Sequence, residues 1–486
     1  MNGSKTTADI EVLVELRRGD GVSFHRHLEL ELRKAIQAGR LAAGSRMPST
    51  RALAAELGLS RGVVVEAYEQ LVAEGYLTSR RGGTTLVAPG SVTPAAHARA
   101  ASDPGPAIAF RYGSPDVSQF PRDAWLRSLR RALSEAPNRR LNYLDGRGVP
   151  ELREALAAYL NRVRGTATEA DQIVVCAGFN QGLTLLGQVL RESGKRRLAL
   201  EDPSDDTPRA IAKSLGLSVV GVPVDDSGID VGRLERTDAK TVVVTAAHQF
   251  PLGGVLPPER RSALVAWAAR RNGLIVEDDY DAEYRYDRAP VGALQGLAPQ
   301  RVVYIGSASK TLAPGLRLGW MALPWSLVDD VAAAKRLADR GSPAIDQLAF
   351  ADFITHGEFD HHLRRMRPIY RRRRDALLEA LNRYVPELEP VGESAGLHLV
   401  AWLPADVGES AIVREALRLG VGVDGINRYR IESRPGRNGL LFGYADLSEQ
   451  AIEEGIRILG QAIEAVRVPP SATKAASHQD AATVSK

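Results

Sequence analysis

At 486 residues the chain is longer than a typical single domain, so two or more domains are expected. Its 44% hydrophobic and 25% charged content is ordinary for a soluble globular protein, and its net charge of +4 permits nucleic-acid contact without requiring it. A single cysteine excludes a disulfide framework and favours a reducing, cytoplasmic compartment. No run approaches the roughly 18 apolar residues of a membrane-spanning helix.

The first compact segment covers residues 24–80, where apolar residues recur at the three- and four-residue spacing of helices. Within it, Ser49 or Thr50 can cap a short helix over residues 51–57. Gly58 follows, and glycine tolerates the left-handed backbone of a tight turn. The pattern therefore predicts a helix that ends in a sharp turn.

A second helix is predicted directly after that turn, over residues 61–74, with Ser60 as its cap. Two short helices joined by a glycine turn are what a helix-turn-helix requires, and its second helix enters the DNA major groove. Residues 76–87 then read as two strands around a Gly-Gly turn, with Arg80 and Arg81 beside it. A basic hairpin of this kind can act as a wing against phosphate or the minor groove.

Four motifs in this segment resemble the DNA-binding domain of the GntR-superfamily regulators. They are Pro-Ser-x-Arg-x-Leu-Ala (48–54), Gly-Leu-Ser-Arg (58–61), Ala-Tyr-x-x-Leu (67–71) and Glu-Gly-Tyr-Leu (74–77). The resemblance covers residues 22–88 and implies a winged helix-turn-helix that binds a double-stranded DNA operator. It implies DNA contact by Arg51, Ser60, Arg61, Arg80 and Arg81. For the last two, a solvated charge pair is an equally good interpretation.

The remaining chain is predicted to form a linker, a large α/β domain and a tail. Residues 89–108 are rich in Pro, Gly and Ala, which is typical of a flexible linker. Residues 109–467 alternate short β-rich runs with longer helical patterns, which predicts a mostly parallel sheet with helices on both faces. The predicted strands are Ile173–Cys176, Arg197–Leu200, Thr241–Thr245, Leu274–Glu277 and Val302–Ile305. Residues 468–486 are polar and are predicted to be disordered.

The segment from Ser307 to Trp320 carries the clearest chemical signal. Lys310 comes just after a predicted buried strand, with Ser307 three residues before it and Arg317 seven after it. An aldehyde cofactor needs an amine for its Schiff base, and its phosphate needs hydroxyl and guanidinium partners. An isolated Ser-x-x-Lys is more often an exposed lysine. The whole string, however, resembles the lysine motif of fold-type I aminotransferases, which implies that Lys310 binds pyridoxal 5'-phosphate.

Further cofactor contacts are implied by the same resemblance. Asp278, at the carboxyl end of a predicted strand, would pair with the pyridine nitrogen, and Tyr280 would bond the ring oxygen. Asn180 and Gln181 open a predicted helix where exposed N–H groups can seat the phosphate. Tyr143 matches the tyrosine that aminotransferases extend to the neighbouring subunit's phosphate, which implies a homodimer.

Taken together, the two halves resemble the MocR-type regulators, a GntR subfamily with an aminotransferase-like effector domain. The expected fold is an N-terminal α+β winged helix-turn-helix followed by a large α/β, fold-type I, class I/II aminotransferase-like domain. The resemblance implies a head-to-tail, domain-swapped homodimer. It also implies an effector that is pyridoxal phosphate itself or a small amine or amino acid.

Three positions depart from the pattern of working aminotransferases. Asp205 replaces the ring-stacking aromatic, Phe250 replaces the asparagine near the ring oxygen, and Leu441 replaces the arginine for the substrate carboxylate. A carboxylate bound there would need another cation. The candidates are the loop arginines Arg428, Arg430 and Arg434. These losses favour a ligand-sensing regulator with weak or no turnover. The alternative is an active aminotransferase with an accessory DNA-binding domain.

Overall fold

The computed structural model describes residues 23–79, 84–89, 105–286, 291–392, 394–432 and 436–467. Their contacts divide the chain into two compact units, Met1–Pro104 and Gly105–Lys486. Several predicted features lie outside the described residues. They are Arg80, Arg81, Arg434, residues 90–104 of the predicted linker and the predicted tail 468–486.

The described residues of the first unit form three helices and a two-stranded antiparallel hairpin. They are α1 (Phe24–Gln37), α2 (Thr50–Glu56), α3 (Arg61–Ala73), β1 (Leu77–Ser79) and β2 (Thr85–Val87). Of the two candidate caps, Ser49 caps α2, because its side chain accepts a hydrogen bond from the backbone N–H of Ala52 at 3.1 Å. Gly58 has a φ of +64° in the turn between α2 and α3. The predicted helix-turn-helix is therefore present, with a hairpin after it.

The core of this unit is formed by one face of each helix and the inner side of the hairpin. Leu28 and Leu32 of α1, Val64 and Leu71 of α3, and Leu77 of β1 are completely or almost completely buried in it. Strands β1 and β2 are antiparallel, with Leu77 opposite Val87, so both inner residues close the core. Because these side chains share one core, α2 and α3 are held in a fixed orientation to each other.

The second unit is built on an eight-stranded, mostly parallel sheet. Its strands, in spatial order, are β4 (Ile173–Cys176), β11 (Gly319–Ala322), β10 (Val302–Ser307), β9 (Leu274–Asp279), β8 (Thr241–Val244), β5 (Arg197–Asp202), β6 (Ser218–Asp225) and β7 (Gly228–Ile229). Strands β10, β9, β8, β5 and β6 run parallel, and β11 and β7 are antiparallel to their neighbours. All five predicted strands are present. Cys176 is buried in β4, as its apolar surroundings predict.

Helices cover the sheet, and a smaller sheet completes the unit. The helices are α4 (Arg122–Glu135), α5 (Pro150–Arg164), α6 (Phe179–Glu192), α7 (Asp206–Ser214), α8 (Val231–Glu235), α9 (Pro258–Arg271), α10 (Trp325–Asp339), α11 (Ala344–Thr355), α12 (Glu358–Tyr384), α13 (Glu409–Arg418) and α14 (Glu449–Arg467). The small antiparallel sheet consists of β12 (Glu389–Val391), β13 (His398–Trp402), β16 (Gly439–Gly443) and β15 (Asp424–Gly425). Strand β3 (Ile108–Ala109) pairs in parallel with β14 (Val421–Gly422). Within the described ranges, no helix is long and apolar enough to cross a membrane.

Candidate cofactor site and DNA-binding face

A cavity of about 290 Å³ lies where the parallel strands β5, β8, β9 and β10 end. The carboxyl ends of parallel strands are where α/β sheets place their ligands. Of the predicted cofactor residues, six line the cavity. They are Asn180, Asp278, Tyr280, Ser307, Lys310 and Arg317.

One end of the cavity is suited to an anion. Gly178, with a φ of +90°, precedes the 14-residue helix α6, whose first backbone N–H groups have no acceptor within the helix. A Cβ at this glycine would lie 3.6 Å from the guanidinium of Arg317 and 3.8 Å from the hydroxyl of Ser309. A helix N-terminus, a guanidinium and a hydroxyl are together the donor set that a phosphate requires.

Lys310 lines the same cavity as these donors. Its Nζ donates a hydrogen bond to the Gly113 carbonyl at 2.5 Å and lies 5.4 Å from the centre of the Tyr112 ring. Burial lowers the pKa of Lys310, although the nearby carboxylates Asp281 and Asp278 act in the opposite direction. A lowered pKa favours the neutral amine, which is the form that attacks a carbonyl carbon.

Asp278 is the acidic group at the end of β9 that faces the cavity. Its carboxylate has no hydrogen-bond partner among the described residues, and burial together with Asp205 and Asp279 raises its pKa well above the usual value. A carboxylate in this state gains a partner when a protonated ring nitrogen binds beside it. The residues present therefore fit pyridoxal phosphate at the phosphate, amine and ring-nitrogen positions.

Tyr280 enters the cavity from the loop after β9, but its hydroxyl is already engaged. It donates a hydrogen bond to the His248 carbonyl at 2.8 Å. His248 Nδ1 in turn lies 3.0 Å from the buried carboxylate of Asp281. Gly396, at φ +73°, packs so closely on this pair that a Cβ there would overlap His248 Cε1. The position of Tyr280 is thus fixed by a buried His–Asp pair.

Two predicted cofactor residues do not line the cavity in this chain. Gln181 uses its side chain to accept a hydrogen bond from the backbone N–H of Ala177 at 2.8 Å and to donate one to Asp339 at 2.9 Å. Tyr143 is 77% exposed, with the guanidinium of Arg340 5.3 Å from its ring centre. An exposed Tyr143 is compatible with the predicted contact to a second subunit, which stays a prediction.

The three positions that depart from the aminotransferase pattern each have a structural role. Asp205 lines the cavity and caps α7, because its carboxylate accepts the Thr207 N–H at 2.8 Å. Phe250 packs on Tyr112 with ring centres 4.2 Å apart. Leu441 is completely buried and belongs to the same apolar cluster as Phe250. Leu441, which replaces the arginine for the substrate carboxylate, therefore lies in an apolar cluster.

Neither of the described loop arginines reaches the cavity lining. Arg428 is exposed and forms ion pairs with Asp424 at 3.2 Å and Asp206 at 3.5 Å. Arg430 donates to the side chain of Asn427 and to the Arg437 carbonyl, each at 3.0 Å. These contacts engage both guanidinium groups outside the site.

Several residues of the site were not predicted from the sequence. Tyr112, Gly113, Ser309 and Thr245 contact or line the cavity, and the His248–Asp281 pair supports Tyr280. Only Ser309 had a signal, because it precedes Lys310 inside the recognised motif. Tyr112 and Gly113 come from a segment about 200 residues earlier in the chain, and local patterning does not reveal such a long-range contact.

The first unit presents its predicted DNA contacts on the surface. Arg51 lies in the first turn of α2, and Ser60 and Arg61 lie at the start of α3; all three are exposed. Among the described residues, neither guanidinium has a hydrogen-bond or ion-pair partner. Ser60 precedes α3 without making a side-chain capping bond. These side chains are therefore available to a ligand rather than engaged in the fold.

Comparison with known proteins agrees with both units. Residues 110–458 match the family "Aminotransferase class I and II", and residues 24–87 match "Bacterial regulatory proteins, gntR family". The α-aminoadipate aminotransferase LysN of Thermus thermophilus, solved with N-(5'-phosphopyridoxyl)-L-leucine, is 27% identical, with a TM-score of 0.67 over 74% of this chain and 92% of that one. The fold and the cavity thus define a fold-type I aminotransferase-like domain that follows a winged helix-turn-helix.

Relatives with both parts are regulators. The probable rhizopine catabolism regulatory protein MocR of Rhizobium meliloti is 33% identical over 93% of this chain and 96% of that protein. The pyridoxine biosynthesis transcriptional regulator PdxR of Corynebacterium glutamicum is 32% identical over 90% and 96%. The chain therefore belongs to the MocR-type transcriptional regulators of the GntR family, which confirms the predicted family and fold class. Regulators of the GntR type bind DNA operators, and fold-type I aminotransferases depend on pyridoxal phosphate.

Proposed function

We propose that this protein is a DNA-binding transcription regulator whose second unit binds pyridoxal phosphate through Lys310 and responds to it or to a small amine. The observation that carries the proposal is the half-buried Lys310 in one cavity with Asp278 and with the N-terminal end of α6, which is suited to an anion. Bound pyridoxal phosphate supplies an aldehyde that captures primary amines. Leu441 and Asp205, in place of the arginine and the ring-stacking aromatic of working aminotransferases, support sensing over turnover.

Each residue of the cavity has a separate task in this proposal. Arg317, Ser309, Ser307 and the backbone N–H groups after Gly178 hold the phosphate. Asp278 holds the proton on the ring nitrogen, and Tyr280 borders the ring. Lys310 provides the neutral amine. Together these contacts orient the cofactor without an additional positive group for a substrate carboxylate.

The operator is contacted by the exposed side chains at the starts of α2 and α3. Arg51 and Arg61 supply guanidinium groups, which bind phosphate or the edge of guanine. In the same proposal the protein is a symmetric homodimer that reads an operator of two half-sites. The exposed Tyr143 of each subunit approaches the cofactor of the other. A ligand that binds one arrangement of the dimer more tightly than the other shifts the population toward that arrangement. Operator affinity changes because the two arrangements bind DNA differently.

The cofactor assignment is tested on the full chain by borohydride reduction in the presence of pyridoxal phosphate, followed by peptide mass spectrometry. We expect the label on Lys310 and its loss in Lys310→Ala. Lys213→Ala, which removes an exposed lysine from α7, is the matched control and should label like the wild type. A wild-type protein that takes up no pyridoxal phosphate at saturation overturns the proposal.

The regulator assignment is tested by footprinting on the DNA upstream of the protein's own gene, with and without pyridoxal phosphate. Arg61→Ala should weaken binding by about 1–3 kcal/mol if it contacts a base edge, and similarly on all sequences if it contacts only phosphate. Arg26→Ala removes an exposed guanidinium from α1 and serves as the control. Unchanged affinity after both Arg51→Ala and Arg61→Ala contradicts the assignment. Steady-state transamination at about 1–1000 per second would favour the aminotransferase alternative.

A further inference from the structure

The cavity carries more acidic than basic side chains. Its lining among the described residues includes four carboxylates and two cations, which are Glu201, Asp205, Asp278, Asp279, Lys310 and Arg317. Arg317 lies at the phosphate end, and Lys310 is the amine that meets the cofactor. The described lining therefore leaves no cation to pair with a carboxylate on a second ligand, and an unpaired buried carboxylate is strongly disfavoured.

With Asp278 assigned to the ring nitrogen, Asp205 is the carboxylate of the remaining three that accepts the fewest hydrogen bonds in the described structure. Asp279 is paired with the buried Arg164 at 2.7 Å, and Glu201 accepts two hydrogen bonds from Thr245 at 2.7 and 3.1 Å. Asp278 is at the ring-nitrogen position. Asp205 uses Oδ1 to cap α7, and its Oδ2 has no hydrogen-bond partner within the described ranges. A carboxylate oxygen free in a cavity is an acceptor for an ammonium group.

The wall beside these groups is apolar. Leu441 and Phe250 are buried together with Tyr429, whose ring centre lies 5.0 Å from that of Phe250. Phe250 and Tyr112 also line the cavity, so this wall is continuous with the cofactor site. A hydrocarbon chain is stabilised by burial against such a surface, whereas a carboxylate loses its hydration there.

We propose that the second ligand of this site is an aliphatic diamine without a carboxylate. One amine would replace the Lys310 nitrogen on the cofactor carbon, so that the bond to Lys310 breaks as the new C–N bond forms and Lys310 leaves as a free amine. The chain lies along the Phe250 wall, and Asp205 accepts hydrogen bonds from the other ammonium group. This inference rests on the proposed function, because amine capture needs the cofactor at Lys310. It narrows the effector from amines and amino acids in general to amines that carry a second positive charge.

The experiment measures dissociation constants from the absorbance change of the cofactor-loaded full chain. Cadaverine and lysine differ only by a carboxylate, and cadaverine and pentylamine differ only by the second ammonium group. We expect cadaverine to bind about tenfold more tightly than either, as the loss of one charged hydrogen bond or the burial of one unpaired charge predicts. Lysine binding as tightly as cadaverine overturns the inference.

A substitution separates the role of Asp205 from a general effect of charge. Asp205→Asn keeps the cap of α7, because asparagine caps helices as well as aspartate does. It should weaken cadaverine about tenfold and leave pentylamine within about twofold. Asp206→Asn removes the adjacent carboxylate, which pairs with Arg428 outside the cavity, and is the matched control. Equal effects of Asp205→Asn on both amines contradict the inference. Failure of both amines to bind a cofactor-loaded protein overturns it but leaves the proposed function intact, whereas failure to load the cofactor overturns the proposed function itself.

Discussion

Replacing Glu201 with glutamine should make the stability of the second unit less dependent on pH. Glu201 is 3% exposed, and its carboxylate accepts hydrogen bonds from the backbone N–H and hydroxyl of Thr245 and, at 3.5 Å, from the side-chain amide of Gln249. Burial raises the pKa of Glu201 from its ordinary 4.5 to about 7, although the bonds from Thr245 act in the opposite direction. The folded protein therefore holds a proton that the unfolded chain releases.

The sign and size of the effect follow from this difference in proton binding. Because the folded-state pKa is raised, the stabilising contribution of Glu201 is complete below pH 4.5 and is lost as the pH rises through about 7. At about 1.4 kcal/mol per pH unit, the full loss is about 3 kcal/mol. Glutamine is neutral throughout. Between pH 5 and 8, the unfolding free energy of Glu201→Gln should rise by about 2–3 kcal/mol relative to the wild type.

Urea unfolding followed by tryptophan fluorescence measures this quantity, because every tryptophan belongs to the second unit. The positions are Trp125, Trp267, Trp320, Trp325 and Trp402. Other buried acids whose pKa values are raised, such as Glu277 and Glu283, are present in both proteins and cancel in the difference. Glu192→Gln, an exposed substitution on α6, is the control. A wild-type-to-variant difference that stays constant from pH 5 to 8 would refute the reasoning.

Three further substitutions test the packing around the two sites. Arg164→Met should destabilise the second unit by about 3–5 kcal/mol in the same urea assay, because it leaves the buried Asp279 carboxylate without its cation; a loss below about 1 kcal/mol would contradict this. Gly396→Ala should lower the urea midpoint, since its Cβ would overlap His248 in a left-handed backbone, and an unchanged midpoint would argue against that contact. Tyr68→Phe should cost the first unit about 1 kcal/mol by hydrogen exchange, because the hydroxyl bonds a backbone carbonyl before α2 at 3.1 Å; equal exchange in both proteins would exclude that role.

The sequence predicted the fold well because local patterns and burial agree. Strands β4 and β8 occur within one residue of the predicted bounds, but β5, β9 and β10 each continue two residues further. Their last residues are polar or glycine, such as Glu201 and Asp279, and therefore resemble a loop. In the sheet they remain paired with neighbouring strands, as Asp279 is with Gly306, and several of their side chains enter the cavity. Polarity at these ends thus reflects the site rather than the end of the strand.

The site was predicted less completely than the fold. The motif around Lys310 identified the lysine, Ser307 and Arg317 correctly as neighbours of one cavity. Gln181, in contrast, bonds Ala177 and Asp339, and only the tertiary structure decides whether an amide meets a phosphate or a helix end. The apolar surroundings of Leu441 could not be inferred either, because they come from three separate segments.

The hydrogen bond from Lys310 to the Gly113 carbonyl connects the cavity to the first residues of the second unit. Gly113 is eight residues after Gly105, where that unit begins, and the intervening strand β3 is held by only two residue pairs with β14. When Lys310 engages an aldehyde, its nitrogen keeps at most one N–H group, so fewer donors remain for the Gly113 carbonyl. Gly113, whose carbonyl accepts this bond, therefore lies on the covalent path that leads back to the DNA-binding unit.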